Sequence, residues 1–80
     1  MKDYPYVGKT IHYVAFGTPG GEYTAGVHRA AVITQVDDDQ WVSLCVLNPT
    51  GLFFNQRCHY DRDGTVPGSW HFIEDEKAQP

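Results

Sequence analysis

Glycine, proline and runs of β-branched residues interrupt this sequence so often that no helix of ordinary length fits. No window of 11 residues combines apolar side chains at helical spacing with freedom from these interruptions. Short segments of alternating apolar and polar residues recur instead, and turn-forming residues separate them. The pattern predicts an all-β fold for the 80-residue chain.

Five segments carry the strand pattern. The third is the clearest, because Val42, Leu44 and Val46 form one apolar row along it. The predicted strands are 7–16, 29–36, 41–47, 52–60 and 69–74.

The connections between these segments narrow the architecture. Residues 37–40 predict a tight hairpin, and the Asn-Pro-Thr-Gly sequence of 48–51 predicts a type I turn. Residues 17–27 include four glycines and predict one long loop. This order predicts a single domain over 1–80, a small five-stranded SH3-like barrel with a frayed polar tail at 75–80.

Closure into a barrel is expected because it removes exposed sheet edges, which so short a chain has little material to cover. An OB-like barrel is the alternative. It normally has a helix between two strands, and the sequence predicts none.

Charge and composition limit the partners. Six Lys and Arg face ten Asp and Glu, which is the wrong balance for binding the backbone of DNA or RNA. A small ligand with one or two phosphates needs far fewer contacts.

The longest uncharged apolar stretch, 41–47, is much shorter than the roughly 20 residues of a membrane-spanning helix. With no apolar leader at the N-terminus, we expect a cytoplasmic protein whose Cys45 and Cys58 are reduced and buried.

No local motif predicts a metal, a cofactor or an enzyme. The potential ligands lack a Cys-x-x-Cys or His-x₃-His pair, so the histidines are expected at polar surfaces or hydrogen-bonded rims. No serine lies in a Gly-x-Ser-x-Gly context, and the acidic run 37–39 is typical of a solvated turn. The potential metal ligands are His12, His28, Cys45, Cys58, His59 and His71.

Aromatic residues make up 14% of the chain, more than a five-stranded interior is expected to hold. Trp41, Phe54, Tyr60 and Phe72 are expected in the core. Those near loops are predicted to stack on a planar group, and strand arginines are predicted to hold an anion. The alternative is that the rings seal the barrel ends. The candidate ligand-binding residues are Tyr13, Phe16, Thr18, Tyr23, His28, Arg29, Asn48, Thr50, Phe53, Asn55, Arg57, Trp70 and His71.

Several segments resemble small proteins encoded by bacteriophages and some bacteria. They are 10–14 (TIHYV), 17–21 (GTPGG), 29–34 (RAAVIT), 46–54 (VLNPTGLFF) and 67–71 (PGSWH). The resemblance covers most of 7–72 and carries no catalytic motif. It implies a phage-type β-barrel protein that acts inside a bacterial cell, including interference with host immunity.

Together these observations favour a non-enzymatic protein that sequesters a small nucleotide-derived immune messenger of its host. A single small barrel has shallow concavity, so the site is expected at a homo-oligomer interface. The alternatives are a module that binds and inhibits a host protein, or a small virion component.

The nucleotide-sequestration hypothesis and the host-protein hypothesis predict that different substitutions weaken binding. Arg29→Ala and Arg57→Ala should abolish binding of an anionic nucleotide and leave folding intact, because each removes a guanidinium. Asp38→Lys and Asp39→Lys should weaken only a basic protein partner, whose approach the acidic turn would steer. Calorimetric titration with a nucleotide panel and co-purification with host protein measure the two effects, and circular dichroism checks the fold. Unchanged nucleotide affinity in both arginine variants would contradict sequestration.

Overall fold

The computed structural model describes residues 4–17 and 26–77, and within these ranges five strands form one curled antiparallel sheet, a half-barrel. The strand order is β4-β3-β2-β1-β5. The elements are β1 (Thr10–Val14), β2 (His28–Val36), β3 (Trp41–Asn48), β4 (Gly51–His59), β5 (Trp70–His71) and a short helix, α1 (Ile73–Lys77). The prediction of an all-β fold is confirmed.

Two tight connections set the order of the central strands. In the β2–β3 hairpin, Asp38 Oδ1 accepts hydrogen bonds from the backbone N–H groups of Gln40 (2.8 Å) and Trp41 (3.0 Å). An aspartate that binds the backbone two residues ahead mimics a backbone turn, which is why Asp is favoured there. Pro49 and Thr50 alone separate β3 from β4. The positions of both predicted turns are confirmed.

The core lies on the concave face of the sheet. The row Val42, Leu44 and Val46 is buried, as predicted. The largest buried side chain is Trp70, which is 0% exposed and donates from Nε1 to the carbonyl of Gln40 at 3.1 Å. The expectation that Trp70 is an open stacking platform is therefore wrong. Its indole packs against the rings of Tyr60 and Phe72 and closes the interior.

A β-bulge in β4 overturns the prediction that Phe54 belongs to the core. Asn55 pairs with Leu44 and Cys58 pairs with Val42, so two residues of β4 lie opposite Ser43 alone. An extra residue reverses the side-chain alternation beyond it. Cys58 therefore faces the core, whereas Phe54 faces outward and is 68% exposed.

The two cysteines are free thiols, as predicted. Cys58 is buried, but Cys45 is only half-buried. Its side chain points away from the core because its neighbours in β3, Leu44 and Val46, point into it.

The C-terminal segment differs from the prediction of a strand over 69–74 and, up to residue 77, from that of a frayed tail over 75–80. Residues 78–80 lie outside the described residues. The strand β5 has two residues, and α1 continues to residue 77. Asp75 stabilises this turn, because its Oδ2 accepts bonds from the Phe72 N–H (3.0 Å) and the Tyr60 hydroxyl (2.8 Å). Five residues are too few for the periodicity that predicts helices, so no pattern in the sequence indicates α1.

The Tyr60 hydroxyl offers a test of how α1 is attached. Partial burial, and then the hydrogen bond to Asp75, raise the pKa of Tyr60 to about 12. An unfolded tyrosine has a pKa of about 10. The folded protein therefore holds this proton more tightly, and the free energy of unfolding falls as pH rises from about 10 to 12.

Tyr60→Phe should lower the free energy of unfolding at pH 7 by about 0.5–1.5 kcal/mol, because one hydrogen bond is lost. The difference from wild type should shrink between pH 10 and 12, which urea denaturation at each pH measures. Tyr6→Phe, at a 59% exposed side chain, is the control and should change stability little. A difference that stays constant across this range would contradict the account.

Candidate ligand groove and histidine cluster

An apolar groove opens between the end of β1 and the β3–β4 hairpin. Its volume is about 300 Å³. No charged residue lines it within the described ranges. The lining residues are Tyr13, Ala15, Phe16, Gly17, Val46, Asn48, Gly51, Leu52 and Phe53.

The structure brings four predicted ligand-binding residues together in this apolar groove: Tyr13, Phe16, Asn48 and Phe53. A fifth, Asn55, donates from Nδ2 to the Tyr13 hydroxyl at 3.0 Å. The pKa of Tyr13 is raised, chiefly by burial, so its hydroxyl stays protonated at neutral pH. The groove thus combines two accessible phenyl rings with one amide and one phenol.

The remaining predicted residues lie elsewhere. Arg57 has a positive φ of 54° in the bulge, its Nη1 is 3.3 Å from Asp37 Oδ2, and its guanidinium lies 5.2 Å from the Trp41 ring centroid. Arg29 is half-buried in β2 and, like Thr50, does not line the groove. Thr18 and Tyr23 lie outside the described residues.

A histidine cluster occupies the other face of the sheet. His12 on β1 pairs with His71 on β5. On its other side, His12 pairs with Ala30 on β2, and His28 is two residues from Ala30 on that strand. Directly paired residues, and residues two apart on one strand, share a face. The ring centroids are accordingly 4.7 Å apart for His28–His71, 5.8 Å for His12–His71 and 6.3 Å for His12–His28.

Glu76 on α1 completes the histidine cluster. One carboxylate oxygen contacts His12 Nδ1, and the other contacts His28 Nδ1 and lies 3.5 Å from His71 Nε2. One donor atom from each of the four residues lies within 4.8 Å of the others. Among the described residues, these four form the group that could hold a metal ion.

The loop between β4 and β5 covers His28 and His71. The Nε2–H group of His28 donates to the carbonyl of Gly64 at 2.9 Å. Gly64 has a φ of +67°, and a Cβ there would lie 2.9 Å from both His28 Cε1 and His71 Cε1. The close approach of this loop therefore requires glycine.

The members of the cluster ionise differently. Burial lowers the pKa of His71, and the nearby His28 lowers it further, so its ring is neutral at pH 7. Partial burial opposes the charge of His28, but the bonds to Glu76 and Gly64 outweigh it and raise its pKa. Partial burial likewise opposes the charge of Glu76, but the bond with His28 and the charges of His12 and His28 lower its pKa.

Local spacing in the sequence does not indicate this cluster. Its four members come from β1, β2, β5 and α1. His28 and His71 were predicted to bind a ligand beside the aromatic rings, but they lie in the cluster and do not line the groove. A signal was present in the placement of His12 and His71 within two predicted strands, but their pairing depends on the register.

Comparison of the chain with known protein families, characterised proteins and solved structures finds no match. The resemblance to phage-type proteins therefore stays a prediction. Within the described ranges, no helix has the length and apolar character that crossing a membrane requires.

Two glycines with similar backbone angles test the packing of the cluster. Gly64 (φ +67°) and Gly26 (φ +81°) both lie in the left-handed region, where alanine costs roughly 1–2 kcal/mol. Only at Gly64, of these two, would an added Cβ meet other atoms within 4 Å. Gly64→Ala should therefore lower the free energy of unfolding by about 1–3 kcal/mol more than Gly26→Ala, as measured in urea. Equal losses would show that the loop does not press on the imidazoles.

Proposed function

We propose that this chain is a non-enzymatic, SH3-like binding protein that assembles through strand β4 into a dimer and holds a planar ligand in the apolar groove beside that edge. The strand order supports the SH3-like assignment, because β1 to β4 form a meander and β5 returns to pair with β1. The exposed apolar edge of β4 carries the functional proposal.

That edge has the properties of a docking strand. β4 is the terminal strand of the sheet, so one side of its backbone pairs with no other described strand. Leu52, Phe53 and Phe54 are 66%, 45% and 68% exposed. Natural proteins usually protect edge strands with charges, prolines or covering elements, and large contiguous apolar patches on monomers are rare.

A second copy of the chain fits this edge. Antiparallel pairing of two identical edges about a twofold axis is self-complementary. The first six residues of β4 carry no charge, so the net charge of −4 on each copy is not concentrated where the copies meet. An 80-residue domain also buries a smaller share of its surface on folding than a larger domain does, which favours assembly.

The apolar groove begins where β4 begins, since Gly51, Leu52 and Phe53 belong to both. The groove volume of about 300 Å³ is at the lower limit of ordinary ligand pockets. A second copy paired with β4 would add a wall to the groove and deepen it. Phe16 and Phe53 offer rings for stacking, at about 1–3 kcal/mol for a nucleobase. The uncharged lining favours the planar part of a nucleotide-derived ligand over its phosphates.

Sedimentation velocity tests directly whether the protein forms a dimer through the β4 edge. The wild-type protein should sediment as a dimer at micromolar concentration. Phe54→Asp should weaken the dimer on the order of 100-fold or more, because it replaces an apolar side chain of the proposed interface with a charge that assembly would bury. Val7→Asp, at a 64% exposed side chain outside the sheet, is the control and should remain dimeric. A monomeric wild-type protein would overturn the proposal.

A further inference from the structure

We propose that His12, His28, His71 and Glu76 bind one divalent transition-metal ion of the Zn²⁺ type, which fixes α1 and the β4–β5 loop to the sheet. The site is separate from the apolar groove and does not depend on the function proposed above. Three imidazole nitrogens and one carboxylate oxygen are ligands that Zn²⁺ takes in proteins. Sulfur ligands are absent from the set, which disfavours Cu⁺ and iron–sulfur chemistry.

The four donors have the spacing of a site that closes with small movements. In a tetrahedral zinc site, donors at about 2.0–2.2 Å from the ion are roughly 3.3–3.6 Å from one another. The donor atoms of the cluster lie within 4.8 Å of one another, and His71 Nε2 is 3.5 Å from Glu76 Oε1. Small side-chain rotations, without a change in the strands, would be enough to bring the donors to one centre.

His28 is oriented as a metal ligand. Its Nε2–H group donates to the carbonyl of Gly64, which leaves Nδ1 on the side of Glu76. Metal-binding histidines almost always donate their second ring N–H to a carbonyl, carboxylate or water, because this fixes the tautomer and the ring orientation. The neutral His28 tautomer in this arrangement presents its lone pair to the centre of the cluster.

His71 supplies the second, independent observation. Its side chain is 0% exposed, and neither ring nitrogen has a hydrogen-bond partner within residues 4–17 and 26–77. A buried polar group without a partner costs roughly 1–3 kcal/mol. The ring lies 4.7 Å from that of His28 and 5.8 Å from that of His12, with no second carboxylate in the cluster to pair with. A shared cation satisfies the nitrogen that faces Glu76.

The number of protein ligands indicates a structural role. Catalytic zinc sites keep one position open for water, whereas structural sites have four protein ligands. Here His12 (β1), His28 (β2) and His71 (β5) lie on three adjacent strands, and Glu76 comes from a helix that has few other contacts with the sheet. Small domains commonly compensate for a small core with a disulfide or a metal, and both cysteines of this chain are free.

Zinc-dependent thermal unfolding tests the site. Protein stripped with EDTA should bind one Zn²⁺ per chain by calorimetry. Its melting temperature should rise on the order of 10 °C at a Zn²⁺ concentration about a hundred times Kd. Co²⁺ in place of Zn²⁺ should give the intense visible absorption of tetrahedral coordination.

Glu76→Gln preserves the shape of the side chain and removes the anionic ligand, so it should weaken Zn²⁺ binding at least about ten-fold. Glu74→Gln, on the exposed side of α1, is its matched control and should bind as the wild type does. His12→Asn and His59→Asn form a second pair with the same expected contrast. His59→Asn is the control, since the His59 ring lies against Trp41 outside the cluster. No melting shift with Zn²⁺, or an equal shift in Glu76→Gln, would overturn the proposal. Octahedral Co²⁺ absorption would contradict the closed four-ligand site.

Discussion

The pairing of β5 with β1 is the interaction on which the rest of the structure depends. Only two residues of β5 take part, and they point to opposite faces because side chains alternate along a strand. Trp70 lies beside Tyr13 and closes the core, whereas His71 lies beside His12 and enters the histidine cluster. One short pairing therefore completes the hydrophobic interior and brings the polar site together.

The two edges of the sheet differ in how well they are covered. At one end, β5 is short and leads directly into α1, whose Asp75 bonds to Tyr60 and Phe72. At the other end, β4 has nine residues and begins with exposed apolar side chains. The proposed self-association therefore uses β4, and the proposed metal site lies at the β5 end, where the helix has few contacts with the sheet.

The sequence alone was enough to predict those parts of the fold that follow from the local alternation of apolar and polar residues. The row Val42, Leu44 and Val46 and both tight turns were predicted, because apolar periodicity and turn chemistry act over a few residues. Phe54 was misplaced because the bulge near Arg57 shifts the alternation, and nothing in the local pattern marks it. Glu76 and its histidines were missed because strand register brings them together, and register depends on the whole sheet.

Nuclear Overhauser spectroscopy of the aromatic protons tests the β1–β5 arrangement most directly. We expect a cross-peak between the imidazoles of His12 and His71, which pair across β1 and β5 and have ring centroids 5.8 Å apart. The rings of Tyr60 and Trp70, 4.9 Å apart in the core, give the internal reference. A spectrum that shows the Tyr60–Trp70 cross-peak and lacks the one between the two histidines would contradict the account.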